Sequence, residues 1–338
     1  MKRTIAALCL SLLILAPVGG ALAQAAPEDD AANMAHSLGR LQDMYTNVDM
    51  TVRFQTEMPS SYLGNIADQL QHPTEPILSL GQLIPGATNA DPYRIDWEEQ
   101  GRGIQVPFEY RNRYGARITG NLWAPATGGR HPGIVITTGS IQGYEEMYLW
   151  AAQGLAEAGY IVMTYDVQGQ GQSETFGHNE DGSLWCNTEG CPGVPFQQEA
   201  NFVEGTEDAL DWFLSKRNPL RARVNEKRLG LAGHSLGAIG VTKVGNSDPR
   251  IDAVVSWDGA GGTVDLEPRA PTMWQNADYF FNPTPAFSAP DPDAKNAAHR
   301  SFVEAGIDSM QVALYGSTHL EWTYVPYILP ASSEGERV

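Results

Sequence analysis

Leu229-Gly230-Leu231-Ala232-Gly233-His234-Ser235-Leu236-Gly237-Ala238-Ile239 is the stretch on which the fold turns. An apolar run leads into a Gly-x-Ser-x-Gly pentapeptide, and the small-residue stretch from Ala238 to Val244 follows. That order reads as strand, sharp turn, helix. A serine on such a turn has a strained backbone and an exposed hydroxyl, and the flanking glycines are required because a side chain there would strike the neighbouring strand or helix. A functionless glycine-rich turn can contain the same five residues. The strand before it and the helix after it make Ser235 a candidate nucleophile.

Outward from this point, the texture predicts alternating strands and helices. Gly103 to Tyr110 and Ala116 to Ala124 alternate with period two around Asn112-Arg113-Tyr114-Gly115, a hairpin pattern. His131-Pro132 introduces a strand from Gly133 to Thr137 that ends at Thr138-Gly139-Ser140. A helix over about Glu145 to Ala158 and a strand from Tyr160 to Tyr165, ending at Asp166, complete a strand-helix-strand unit. Then come a helix over Glu199 to Leu214, the strand Leu229 to Ala232 with its turn, and strands over Ile251 to Trp257, Thr272 to Gln275 and Met310 to Leu314. The pattern predicts an α/β class with a mostly parallel central sheet and helices on both faces. In such a sheet, ligands bind at the carboxyl ends of the strands.

A serine hydroxyl needs a base to take its proton, and the base needs a third group to orient it. His319, in Gly316-Ser317-Thr318-His319 just after the last predicted strand, stands where a loop can reach back over the serine. His36 and His72 lie near the N-terminus, His131 precedes a strand, His178 lies in a long loop, His299 falls in a helical pattern, and His234 is the variable residue of the turn. Two carboxylates compete as the orienting acid: Asp258, after the strand that follows the serine's helix, and Asp278, after the next one. Position leaves both open. An oxyanion hole would use the backbone N–H of Leu236 and that of Ser140.

The 338 residues, 42% hydrophobic and 18% charged, describe a folded globular chain. Met1-Lys2-Arg3, an apolar stretch from Ile5 to Leu15 and Ala21-Leu22-Ala23 have the order of an export signal, with cleavage expected after Ala23. The apolar part is shorter than the roughly 20 residues of a membrane span, so stable membrane insertion is not expected. The mature protein would be secreted or periplasmic. Cys186 and Cys191 would then enter an oxidising compartment and pair, bracing a loop. Residues 24–90, with prolines at 59, 73, 76 and 85, read as a mostly helical or irregular extension, and 91–338 as one catalytic domain.

The formal charge is −18, and without Lys2 and Arg3 the remaining 20 basic residues against 40 acidic ones give −20. Such a surface repels nucleic acid and anionic membranes. No glycine-rich phosphate loop or clustered set of metal ligands is present in the sequence, and His178-Asn179-Glu180-Asp181-Gly182 lacks the calcium-loop spacing, so no metal and no cofactor are expected.

Gly233-His234-Ser235-Leu236-Gly237, the loop Asp166-Val167-Gln168-Gly169-Gln170-Gly171-Gln172-Ser173 and Gly316-Ser317-Thr318-His319 resemble the α/β-hydrolase superfamily over about residues 95 to 330. Val255-Ser256-Trp257-Asp258 and Gln275-Asn276-Ala277-Asp278-Tyr279-Phe280, together with the histidine loop, resemble platelet-activating-factor acetylhydrolases and dienelactone-hydrolase-like esterases. The resemblance implies a serine carboxylic ester hydrolase using Ser235 and His319, and it favours Asp258 over Asp278 as the acid. A small or lipid-like ester is the expected substrate. Phe176, Trp185 and Phe196 in one loop and the insert Tyr279 to Pro292 are candidate walls of its pocket. An amidase or peptidase using the same three residues, or a silent binding protein on this scaffold, are the alternatives.

Overall fold

The computed structural model describes residues 97–98, 101–140, 143, 145–174, 177–183, 199–259, 267–277, 292–314 and 319–323. The export signal, the extension, Asp278, Cys186, Cys191, Phe176, Trp185, Phe196 and most of the insert after Tyr279 lie outside them.

Eight strands form one sheet: β1 (Gly103–Arg111), β2 (Arg117–Pro125), β3 (His131–Thr137), β4 (Ile161–Tyr165), β5 (Val224–His234), β6 (Ala253–Trp257), β7 (Thr272–Ala277) and β8 (Ser309–Leu314). Their order across the sheet is β1-β2-β4-β3-β5-β6-β7-β8. The hairpin β1–β2 and the β2–β4 pair are antiparallel. From β4 to β8 every neighbouring pair is parallel.

Side chains alternate faces along a strand, and the core divides accordingly. Leu122, Val135 and Leu231 join one cluster with Phe202, Leu210, Phe213 and Val241. Their neighbours Trp123, Ile136 and Ala232 join another with Leu149, Ala152 and Ala156. The first cluster is closed by α2 (Glu199–Phe213) and α3 (Leu236–Ser247), the second by α1 (Leu149–Glu157). In α2 the buried residues Phe202, Thr206, Ala209, Leu210 and Phe213 recur at three- and four-residue steps, a single stripe of a helix. Two short helices, α4 (Pro292–Lys295) and α5 (Ala297–Glu304), precede β8, and Phe302 of α5 packs edge-on against Trp274 of β7. No helix among the described residues is long and apolar enough to cross a membrane.

Element boundaries lie within one to three residues of the sequence expectation except at two places. β5 begins at Val224, not Leu229, because the polar segment Asn225 to Arg228 continues the strand before its apolar part. The pairing with β3 shifts register between Pro132 and Gly133 to accommodate it. The helix expected from Glu145 opens instead as a 3-10 turn over Glu145–Tyr148 before α1 starts at Leu149. That turn sends the Tyr148 side chain into the interior, where it is 1% exposed.

Candidate active site

The parallel registers place the ends of β3, β5 and β6 side by side: Thr137 opposite Gly233, and His234 opposite Trp257. The residues that follow these ends are therefore Thr138-Gly139-Ser140, Ser235 and Asp258, all on one rim of the sheet.

Ser235 has φ 57° and ψ −125° between the end of β5 and the start of α3. A left-handed φ is disfavoured for a residue with a Cβ. Among the described residues, Ser235 and Asp258 (φ 44°) are the two non-glycine positions with positive φ. Each such conformation costs on the order of 1–3 kcal/mol and persists where its surroundings impose it. The surroundings are visible in the ladder: Ser235 N–H donates to the Trp257 carbonyl (3.0 Å), and Asp258 N–H donates to the Gln275 carbonyl (2.7 Å). The glycines of the turn are dictated by space. A Cβ at Gly233 would lie 2.5 Å from the Gly237 carbonyl oxygen, and one at Gly237 would lie 2.2 Å from the Thr138 carbonyl oxygen.

His319 opens a short 3-10 turn, His319–Trp322, that follows β8 in the chain. Its Nδ1 is 2.5 Å from Asp258 Oδ2, with both side chains buried. An ionised carboxylate can only accept, so Nδ1 carries the proton and Nε2 is the basic nitrogen. The other carboxylate oxygen, Oδ1, accepts the Ala277 N–H at 2.9 Å and lies 3.7 Å from the Lys295 ammonium. Lys295 in turn donates to the Ala277 carbonyl. Burial by itself would raise the Asp258 pKa, but the bond and the charge of His319, the Lys295 charge and the Ala277 N–H outweigh it and hold the carboxyl below its ordinary 3.8. The acid is thus kept ionised.

Leu236 is the first residue of α3, where backbone N–H groups have no partner one turn back. The loop after β3 lies directly against the serine: a Cβ at Gly139 would be 3.1 Å from Ser235 Cβ. Ser140 follows it, so both expected oxyanion donors belong to segments that flank Ser235.

Sequence reasoning passed over His234, treated as the variable residue of the turn, and Tyr148. His234 is 3% exposed. Its Nε2 lies 2.8 Å from the His319 carbonyl oxygen and its Nδ1 lies 2.8 Å from the Tyr148 hydroxyl, which also accepts the Gly139 N–H at 2.9 Å. Lys295 was likewise missed, since nothing in Pro292-Asp293-Ala294-Lys295 marks it as facing Asp258. Among the described residues, no group of three or more His, Cys, Asp or Glu side chains is arranged to hold a metal ion. The His178 to Gly182 segment is a turn in which Asp181 accepts from the Ser183 N–H and hydroxyl.

The strand order, the strained serine between β5 and α3 and the residues gathered on the carboxyl rim define an α/β-hydrolase fold. No family model matches the chain. Among curated proteins, Hydrolase LUC6 of a Fusarium species is 27% identical over 215 residues, 59% of this chain and 46% of that protein. The match thus spans less than half of that relative. Among solved structures, a ferulic acid esterase from Streptomyces cinnamoneus aligns with a TM-score of 0.48 and 17% identity, covering 66% of this chain and 76% of that one. A dienelactone hydrolase-like promiscuous phosphotriesterase, P91, from metagenomic libraries aligns with a TM-score of 0.45 and 14% identity, covering 64% and 84%.

Proposed function

We propose that the chain is a serine hydrolase of carboxylic esters, with Ser235 as nucleophile, His319 as general base and Asp258 as its orienting acid. One observation carries the reading: Ser235 and Asp258, the two non-glycine residues at positive φ among the described residues, follow adjacent parallel strands, and Asp258 is bonded to Nδ1 of the buried His319. The 27% identity to a Fusarium hydrolase supports a hydrolytic activity.

The chemistry follows from the proton positions. As Ser235 Oγ attacks the ester carbonyl carbon, its proton passes to His319 Nε2, and Asp258 stabilises the resulting imidazolium through Nδ1–H. The carbonyl oxygen becomes an oxyanion, held by the N–H groups of Leu236 and Ser140. Collapse breaks the bond to the alcohol, which leaves with the proton from Nε2. Water then repeats the sequence on the acyl-enzyme: His319 takes its proton, the acid is released, and Ser235 regains its hydrogen. The N-terminal pattern of residues 1–23 supports export of this enzyme, which mass analysis of the mature N-terminus tests.

Hydrolysis of p-nitrophenyl acetate, butyrate and octanoate by wild type and Ser235→Ala tests the assignment, with fluorophosphonate labelling alongside. Turnover and label that both vanish in Ser235→Ala are the expected result. Equal rates in the two proteins would sink it.

A further inference from the structure

We infer that Tyr148 and His234 are positioning residues that join the oxyanion loop to the backbone of the base His319 through one hydrogen-bonded chain. This rests on the ester-hydrolase reading above and extends it to two residues outside the three reacting side chains.

The direction of each bond in the chain is determined. The His319 carbonyl can only accept, so the His234 nitrogen that faces it at 2.8 Å, Nε2, carries a proton. Burial first, and the neighbouring His319 second, lower the His234 pKa to about 3, so the ring is neutral and Nδ1 has no proton. Nδ1 therefore accepts, and the Tyr148 hydroxyl 2.8 Å away must donate to it. Burial keeps that phenol protonated by raising its pKa. Having donated its hydrogen, the Tyr148 oxygen accepts the Gly139 N–H at 2.9 Å. The path is Gly139 N–H to Tyr148 O–H to His234 Nδ1, and then His234 Nε2–H to the His319 carbonyl.

Each end of this path reaches a group the reaction needs in place. Gly139 immediately precedes Ser140, whose N–H is the proposed oxyanion donor, and the bond to Tyr148 fixes the peptide plane one residue before it. The other end fixes the main chain of the residue whose imidazole is the base. The fit allows no slack: a Cβ at Gly139 would lie 2.8 Å from His234 Nδ1 and 3.0 Å from the Tyr148 hydroxyl. Tyr148 is also held from below, its ring parallel to Trp257 within 6° at a centroid distance of 6.3 Å. Trp257 is the residue before Asp258. Both Tyr148 and His234 are almost wholly buried, at 1% and 3% exposure, and their bonds tie the Gly139 segment to the His319 turn.

Removing the Tyr148 hydroxyl leaves the Gly139 N–H and His234 Nδ1 unpaired and lets the loop shift. Because loss of an entire oxyanion donor costs about 100-fold or more in turnover, a displaced one should cost about 10-fold. The test compares wild type, Tyr148→Phe, His234→Leu, His234→Gln, the double variant Tyr148→Phe/His234→Leu and Ser235→Ala. The readouts are kcat and KM on p-nitrophenyl butyrate, affinity for an alkyl boronic acid that mimics the tetrahedral intermediate, and thermal melting.

The expected result is a kcat about 10-fold lower in Tyr148→Phe with KM within about twofold, and boronic acid affinity falling in step with kcat. His234→Gln, whose amide can still donate to the His319 carbonyl, should recover part of what His234→Leu loses. The double variant should fall little further than the worse single one, because the bonds act as one unit. Wild-type kcat and boronic acid affinity in folded Tyr148→Phe and His234→Gln, with Ser235→Ala inactive, would overturn the positioning role and leave the hydrolase reading intact. So would a loss that appears only in melting temperature. Activity retained in Ser235→Ala would instead remove the hydrolase reading, and this inference with it.

Discussion

Two buried histidines stand with ring centroids 4.5 Å apart at the carboxyl rim of the sheet, and their neighbours give them opposite tasks. His319 faces the Asp258 carboxylate through Nδ1. His234 faces a tyrosine hydroxyl and a peptide carbonyl, both neutral. They are buried to nearly the same degree, 6% and 3% exposed, so burial does not separate them. The charge of the partner does. An imidazole backed by a carboxylate can accept a proton and be stabilised as a cation, whereas one between neutral groups, its pKa lowered to about 3, remains neutral and acts as a fixed strut.

The sharpest way to break this comparison is to remove each ring in turn. His319→Ala should lower kcat on p-nitrophenyl butyrate by about 10⁵-fold or more, and His234→Gln by far less. Comparable losses in the two variants would make the partner's charge irrelevant. Next in size is Asp258→Asn, which keeps the shape but holds the imidazole in the wrong tautomer; a drop of about 10⁴-fold in kcat is expected. Full activity in that variant would assign the acid elsewhere, with Asp278 the next position to substitute.

Gly139→Ala sharpens the comparison from the neutral side. Its methyl would enter space already held by His234 Nδ1, the Tyr148 hydroxyl and Ser235 Cβ. A loss of about 100-fold in kcat should follow as the oxyanion loop is pushed away from the serine, and an unchanged kcat would show the loop to be free of that contact.

The smallest effect is on stability. The His234 pKa is depressed in the folded state from its ordinary 6.5 to about 3, so its contribution is complete above about pH 6.5 and is lost as the pH falls from there towards 3. The slope is that of one proton, about 1.4 kcal/mol per pH unit. Urea unfolding between pH 7 and pH 4 should therefore give a flatter profile for His234→Gln than for wild type. Parallel profiles would show that His234 can be protonated in the folded protein. The Asp258 contribution, from a carboxyl held below 3.8, is lost below that window and does not confuse the measurement.

The fold was legible because its central strands are buried on both faces and read as nearly continuous apolar runs, as in Ile161–Tyr165, every residue of which is buried although Thr164 is polar. β5 was read short because only its second half has that texture. Asn225 to Arg228 are polar and partly or fully exposed, and Glu226 to Arg228 fall in the register shift against β3, so neither burial nor an apolar pattern marks them as strand. The candidate site was legible where chemistry demands a residue type after a strand, as at Ser235, His319 and Asp258. Strand order alone left two acids open, since Asp258 and Asp278 follow successive strands. The Tyr148–His234 path was not legible at all. Its two side chains are 86 residues apart in sequence, and its outer ends are a peptide N–H and a peptide carbonyl, which any residue supplies.

The ladder bonds from Ser235 N–H to the Trp257 carbonyl and from Asp258 N–H to the Gln275 carbonyl give the candidate site a built-in ruler. Ser235 hangs from β6 and Asp258 from β7, each one strand outward from its own. Their separation is therefore set by the sheet's own pitch, about 4.8 Å between neighbouring strands, and substitutions in the loops can rotate these side chains but cannot slide them apart. Widening or narrowing the gap requires moving a whole strand, so the seating of β7 against β6 governs where the Asp258 carboxylate sits.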